Sequence, residues 1–385
     1  EATVSRAIVA DSVSSVGATA ANGTYLVETA VDDGGNRQIK VETRGIVPAR
    51  LLTSVGNNFA PSITAADEVI FLSDASGAVE AMWTKADGSE PLWPAVSRPG
   101  IIACWGDSLT ENGYPPFLSG PLSGRLVQNF GISGQTSIHI AARQGGDPAL
   151  LTVTGNQIPA SGAVAVTAMS TRLLSTPAVS TARTMKGWLA GIYGTLAKDG
   201  GTYTNPTTYT DTYSFTRDAA GSIVACPPDT PFIPEFGVTH RVNTAILWGG
   251  RNDGYTNYAT TTKAKVAAMV AYLKPLAKHV IIIGITPQWG GTENIGSARH
   301  DAIVAYNTDQ AATYGSAFID AHRYFVDHGL ADAGITPTAQ DLADIANDII
   351  PQSLVLNDGT GLHLTDVGDN LLAIQIANRI TSNGW

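Results

Sequence analysis

In the N-terminal part of the chain, apolar and polar positions alternate in short runs divided by turn residues. Tyr25-Leu26-Val27-Glu28-Thr29 and Arg37-Gln38-Ile39-Lys40-Val41-Glu42 flank Asp32-Asp33-Gly34-Gly35-Asn36, a pattern that predicts a hairpin. Glu68-Val69-Ile70-Phe71-Leu72 and Val79-Glu80-Ala81-Met82-Trp83-Thr84, joined by Asp74-Ala75-Ser76-Gly77, predict a second. Residues 1–98 are therefore expected to form a small β domain suited to attachment or substrate presentation. Pro91-Leu92-Trp93-Pro94 and Pro99-Gly100 read as a stiff linker after it.

Beyond the linker, Ile101-Ile102-Ala103-Cys104-Trp105 is a continuous apolar run that breaks at Gly106-Asp107-Ser108. This predicts a buried strand ending in a tight turn, with Ser108 at the C-terminal edge of a sheet, where sites of open α/β sheets gather. Taken alone, Ser108 is as readily a helix N-cap as a nucleophile. A short strand then leads to Asn129-Phe130-Gly131-Ile132-Ser133-Gly134, whose N–H groups can face a bound group without Cβ obstruction. A helix is expected to begin over 138–143. Over 145–240, Thr- and Tyr-rich runs separated by Gly and Pro predict an inserted β-rich domain.

Regular alternation returns with the apolar strand at 243–248, ending in Gly249-Gly250-Arg251-Asn252-Asp253-Gly254. An amphipathic helix over about 258–278 carries Val266, Met269, Val270 and Leu273 on one face, and a strand over 280–285 follows. Helix (296–314), strand (317–320) and helices at 339–349 and 366–380 complete the pattern. The order β-α-β implies parallel strands covered by helices, an α/β domain made of 99–144 and 241–385.

At 385 residues the chain can hold two or three units, and 44% apolar against 15% charged residues, with 40 glycines, marks a globular, turn-rich protein. The net charge is −10 and no Lys/Arg cluster stands ready to neutralise a row of phosphates, which argues against nucleic acid or an anionic bilayer as partner. No apolar run approaches the ~20 residues that span a membrane, so membrane insertion is not expected. Cys104 lies inside an apolar strand and reads as a buried free thiol; with Cys226 it leaves the redox compartment open. Glu1-Ala2-Thr3 reads as the interior of a longer chain, without a leader ahead of it.

Candidate chemistry lies in four turns at strand ends: Gly106-Asp107-Ser108-Leu109, Asn129 to Gly134, Gly250-Arg251-Asn252-Asp253, and Asn357-Asp358-Gly359-Thr360-Gly361-Leu362-His363. A serine needs a base to attack an ester at neutral pH, and donors aimed at the oxyanion that forms. These turns offer Ser108, His363, the amide of Asn252 and backbone N–H groups at Ser108 and Gly134.

In these four blocks, in this order, the chain resembles the SGNH, or GDSL-type, hydrolase superfamily. The likeness covers roughly 100–144 and 241–385. It leaves out the N-terminal region, and the gap between Gly134 and Asn252 is far longer than the family's usual spacing. The resemblance implies a flavodoxin-like three-layer fold with a parallel sheet, Ser108 as nucleophile and His363 as general base. It implies an oxyanion hole from the Ser108 N–H, the Gly134 N–H and the Asn252 side chain, with no metal or cofactor. Relatives carry Asp three residues before the histidine, where this chain has Thr360. Asp358 is taken as the residue that orients His363, provided Gly359 and Gly361 let the turn bulge; the alternatives are Asp366 or a backbone carbonyl. Asp107 is expected to be a structural partner of its turn.

The other histidines (His139, His240, His279, His300, His322, His328) have no metal-ligand spacing, and His322 and His328 are too far apart to act as a pair. Trp248 is expected to pack at the sheet end. Trp188, Tyr193, Tyr203, Tyr209 and Tyr213 of the insert form either a sugar-stacking surface or a small β core. The expected activity is a serine esterase removing O-acetyl groups from a polysaccharide, the flanking β regions suiting an extended glycan better than a lipid chain. The layout resembles phage tail-associated deacetylases acting on capsule or O-antigen, which places the chain outside the cell, secreted or in a virion tail within a larger assembly. The rival readings are a lipase or thioesterase, and a glycan-binding tail module without catalysis.

Overall fold

The computed structural model describes residues 14–44, 49–177 and 180–385; the Glu1-Ala2-Thr3 start lies outside them. The chain divides into two compact units: 1–98 together with Lys274–Lys278, and Pro99–Leu273 together with His279–Trp385.

Both expected hairpins form in the first unit, Tyr25–Val31 pairing antiparallel with Arg37–Thr43 and Glu68–Ser73 with Glu80–Lys85. Each belongs to a four-stranded sheet, and Val27, Ile39, Val41, Val69 and Phe71 share one buried cluster. The expected linker is instead drawn into strands. Trp93–Pro94 forms an edge strand on Glu80–Lys85, and Arg98–Gly106 is continuous strand through Pro99-Gly100. Proline is tolerated in both places, since one is a sheet edge and the other precedes Ile101, the first residue of that strand to pair with Leu126–Gly131.

In the second unit, β1 (Arg98–Gly106), β2 (Leu126–Gly131), β3 (Asn243–Trp248), β4 (Val280–Ile283) and β5 (Phe318–Ile319) make a parallel sheet of order 2-1-3-4-5. The period of two along each strand assigns the faces. Ile102, Cys104, Ile246, Trp248, Ile281 and Ile283 pack against Leu372, Ile376 and Ile380 of helix Asp366–Ser382. Ala103, Trp105, Ala245, Leu247, Val280 and Ile282 pack on the other side against Ile140 of helix Ser137–Gln144 and Val266 and Met269 of helix Lys263–Tyr272. With both faces buried, the central positions of β1, β3 and β4 are apolar, hence the unbroken apolar runs. Cys104 and Cys226 are free and buried; burial pushes the Cys104 thiol up to about 12. Strand order reverses between β1 and β3, which opens a crevice at their carboxyl ends.

Between β2 and β3 the chain builds a closed six-stranded barrel, in the order Leu150–Val153, Ala163–Met169, Tyr213–Arg217, Ile192–Lys198, Arg183–Leu189, Thr230–Pro234. Leu151, Leu189, Leu196, Phe215 and Phe232 fill it, and closure leaves these strands no open edge. Barrel and sheet belong to one compact unit.

The helix expected over 258–278 is shorter. A wide turn at Tyr258–Thr262 leads into Lys263–Tyr272, and Leu273 is already extended (φ −63°, ψ 133°). Pro275 disfavours helical backbone at Lys274. Lys274–Lys278 instead joins the first unit, where the Lys274 carbonyl accepts from Trp83 Nε1 (3.0 Å) and its ammonium pairs with Glu90 (2.7 Å). The later elements form as Ala298–Tyr314, Ala339–Ala346 and Asp366–Ser382. Among the described residues no helix is long and apolar enough to cross a membrane.

Candidate active site

The turn after β1 is set by packing. A Cβ on Gly106 would stand 2.0 Å from Thr110 Oγ1 and 2.5 Å from the Trp248 carbonyl oxygen, so the ends of β1 and β3 close together only around a glycine. Asp107, not Ser108, is the N-cap of the following turn Ser108–Glu111: its Oδ1 accepts from the Leu109 N–H at 3.0 Å. Asp107 is buried, and burial pushes its carboxyl up to about 7 against the opposing bond from Leu109.

Ser108 Oγ lies 2.9 Å from His363 Nε2, and His363 Nδ1 lies 2.6 Å from Asp358 Oδ2. Gly359 (φ +80°) and Gly361 (φ +63°) take left-handed backbone, and this bulge brings an acid five residues before the histidine into reach. Asp358 Oδ1 accepts from the Thr360 N–H (2.8 Å) and Oγ1 (2.6 Å). Burial works to raise the Asp358 carboxyl, but the hydrogen bonds from Thr360 and His363 outweigh it and hold the group well below the usual carboxylate range. Asp366 instead opens the last helix.

This turn is open to solvent, with the His363 and Asp358 side chains 26% and 30% exposed. Its tethers are polar: the Thr360 carbonyl accepts from Gln288 Nε2, and the Gly361 carbonyl from the Trp289 N–H at 2.7 Å. Gln288 is held in turn by Arg251, whose Nη2 donates to Gln288 Oε1 at 3.1 Å. Arg251 forms a partly buried bidentate pair with Glu293 (2.8 and 2.7 Å). Thus the turn after β3 reaches the histidine turn through Arg251, Glu293 and Gln288. Sequence reasoning missed these residues; the one available signal was Arg251 beside Asn252.

Asn252 Nδ2 donates to Asp107 Oδ2 at 3.2 Å and to the Gln135 carbonyl at 3.0 Å, so both its N–H groups are engaged. Gly134 (φ +75°) shares with Asn252, His139 and Tyr203 a cleft of about 530 Å³. Ser108, Asp358 and His363 line a separate cavity of about 310 Å³. The Gly134 turn is braced by the segment between barrel strands: Gln135 Nε2 donates to the Leu173 carbonyl (2.8 Å), and Thr176 Oγ1 to the Ser133 carbonyl (2.5 Å).

The aromatic residues of the insert part company. Tyr213 is buried, its hydroxyl 2.6 Å from Ser175 Oγ. Trp188 and Tyr193 pack on each other, ring centroids 5.1 Å apart. Tyr203 and Tyr209 line a cavity of about 400 Å³ with His139 and Arg172, the Arg172 guanidinium lying 3.7 Å over the Tyr209 ring. Trp248 packs within the sheet end and donates to the Gly284 carbonyl at 3.1 Å.

Contrary to the spacing argument, His300, His322 and Asp348 bring three potential ligand atoms within 4.8 Å of one another, from three separate segments that no local motif could reveal. The Nε2 atoms of both histidines already have partners, while the buried His300 Nδ1 has no hydrogen bond among the described residues. His300 Nε2 is 2.8 Å from Asp348 Oδ2, His322 Nε2 is 2.7 Å from the Asp348 carbonyl, and Arg323 pairs with the carboxylate. The guanidinium supplies there the positive charge that a cation would bring.

No family model matches the chain. It is 27% identical over 288 residues to the tail spike protein of Salmonella phage epsilon15, an overlap that takes in 69% of this chain and 25% of that protein. The chain therefore corresponds to about a quarter of that relative's length. Among solved structures it resembles a provisionally assigned platelet activating factor from Streptococcus pneumoniae, at 15% identity and a TM-score of 0.32 over 76% of this chain and 86% of that one. That likeness is too slight to bear on fold or function.

Proposed function

We propose that this chain is a phage tail-associated serine esterase of the SGNH type that releases O-acetyl groups from a bacterial surface polysaccharide. The observation that carries the reading is the line Asp358–His363–Ser108, at 2.6 and 2.9 Å, beside the carboxyl ends of a parallel sheet. The likeness to a tail spike protein supports the tail setting. In this reading 1–98, the pair 99–144 with 241–385, and 145–240 are three domains of a virion module.

In this reading each residue has one task. Ser108 Oγ attacks the ester carbonyl while His363 Nε2 takes its proton, and Asp358 steadies the imidazolium from Nδ1. Collapse of the tetrahedral adduct breaks the bond to the sugar oxygen, which leaves with the proton from His363. Water, deprotonated by the same nitrogen, then attacks the acyl-enzyme, and acetate departs as Ser108 regains its proton. The Ser108 and Gly134 N–H groups and Asn252 receive the oxyanion, and Asn252 releases one of its present acceptors to do so.

A glycan-binding module without catalysis is the second reading, favoured by the engagement of both Asn252 N–H groups and by the cavity with Tyr203 and Tyr209. Ser108→Ala separates the two. Under the esterase reading, p-nitrophenyl acetate hydrolysis falls by about 10⁵-fold or more; equal rates in mutant and wild type end it. A rate that climbs along a series of longer p-nitrophenyl esters would redirect the assignment to a lipase or thioesterase.

A further inference from the structure

The cavity beside Ser108 holds a second acid that the proposed mechanism does not use. Asp369, in the first turn of helix Asp366–Ser382, is 5% exposed and lines that cavity with Ser108, His363, Leu109 and Leu364. Its Oδ1 would lie 2.7 Å from a Cβ on residue 113, so Gly113 makes room for the carboxyl. Its carboxyl faces the same space as Ser108 and His363, which is where a bound ester would stand.

The titratable groups that face it come from three elements. Asp366 lies one turn earlier on the same helix, and the buried Tyr114 faces it from the segment after the nucleophile turn. His363 and Asp358, across the cavity, are engaged with each other. Burial, reinforced by Asp366, pushes the Asp369 carboxyl up to about 8, so at neutral pH it is a carboxylic acid with one O–H to donate. An acid kept neutral by an apolar site in order to donate a hydrogen bond is a known catalytic device.

We infer that Asp369 is a substrate-binding residue, its carboxyl hydrogen-bonding an uncharged oxygen-bearing group of the ester that occupies the cavity beside Ser108. This rests on the esterase reading. The cavity accordingly selects neutral acyl or sugar groups, and an ionised Asp369 weakens their binding.

The test is the pH profile of kcat/KM for p-nitrophenyl acetate between pH 6 and 10, with wild type, Asp369→Asn and Asp369→Leu. Wild type bends downward near pH 8, and the bend is absent in Asp369→Asn, whose amide still donates. At pH 7, Asp369→Leu loses about tenfold, carried by KM, and Asp369→Asn about threefold or less. A wild-type profile without the bend, a bend that survives in Asp369→Asn, or Asp369→Leu at full rate each overturns the inference. Should Asp369→Leu fail to fold, the Asp369→Asn profile decides alone. A wild type no faster than Ser108→Ala removes the esterase reading itself, a different outcome.

Discussion

The two halves of the candidate site are built by different means. Ser108 follows a buried strand end where Gly106 leaves no room for a single added carbon and Asp107 is sealed beneath the turn. His363 and Asp358 stand on a half-open turn held by a handful of hydrogen bonds, to Gln288, Trp289 and Thr360. The nucleophile is thus placed by the core, so disturbing it disturbs folding. The base is placed by polar contacts near water, so it can be disabled while the fold stands.

Gly106→Ala breaks the first half most severely. One of the atoms it meets is backbone, which cannot rotate away, and overpacking of this kind costs about 1–3 kcal/mol or more. The melting temperature and the activity should fall together, measured by calorimetry and p-nitrophenyl acetate hydrolysis. Asp358→Asn breaks the second half: kcat drops about 10³-fold or more, while the melting temperature at neutral pH falls far less than in Gly106→Ala. Equal loss of stability in both variants would erase the distinction. Thr360→Val is the smallest step. It removes a hydroxyl donor worth about 1 kcal/mol from Asp358 and slows the reaction by about three- to tenfold, with an intact circular dichroism spectrum.

The same contrast governs pH. Asp358 lies below the ordinary carboxylate value when folded, so what it contributes to stability is present above that value and is lost as pH falls through the folded one. Asp107 and Asp369 go the other way. Raised to about 7 and about 8, they hold protons that the unfolded chain releases, so their contribution is full below the ordinary carboxylate value. It is lost as pH rises through 7 and 8. Denaturant unfolding across that range should show declining stability, and a flatter decline in Asp369→Asn.

The apolar runs of β1, β3 and β4 were legible because a sheet buried on both faces leaves no polar position to confuse the period. Both N-terminal hairpins were legible from their turn residues. Helix ends were less so: the stop at Leu273 depended on Pro275 and on a partner sheet far away in sequence. That the short Thr/Tyr strands close into a barrel is likewise a matter of pairing across the insert, which composition does not encode. At the site, Ser108, His363, Asn252 and Gly134 stood out because each sits in a turn of distinctive residues. Arg251, Glu293 and Asp369 did not, since a charged residue in a turn or helix ordinarily faces solvent. Only the fold reveals that Glu293 and Asp369 are buried and that Arg251 turns inward to pair with Glu293, and His300, His322 and Asp348 meet for the same non-local reason.

Lys274–Lys278 has a consequence of another kind. Because this short stretch counts with the first unit while the chain on either side of it belongs to the second, the polypeptide passes between the units three times, at 98/99, 273/274 and 278/279. A gene truncated after Arg98 lacks the carbonyl that accepts from Trp83. The first unit is therefore completed by five residues that the chain supplies about 175 positions after Arg98.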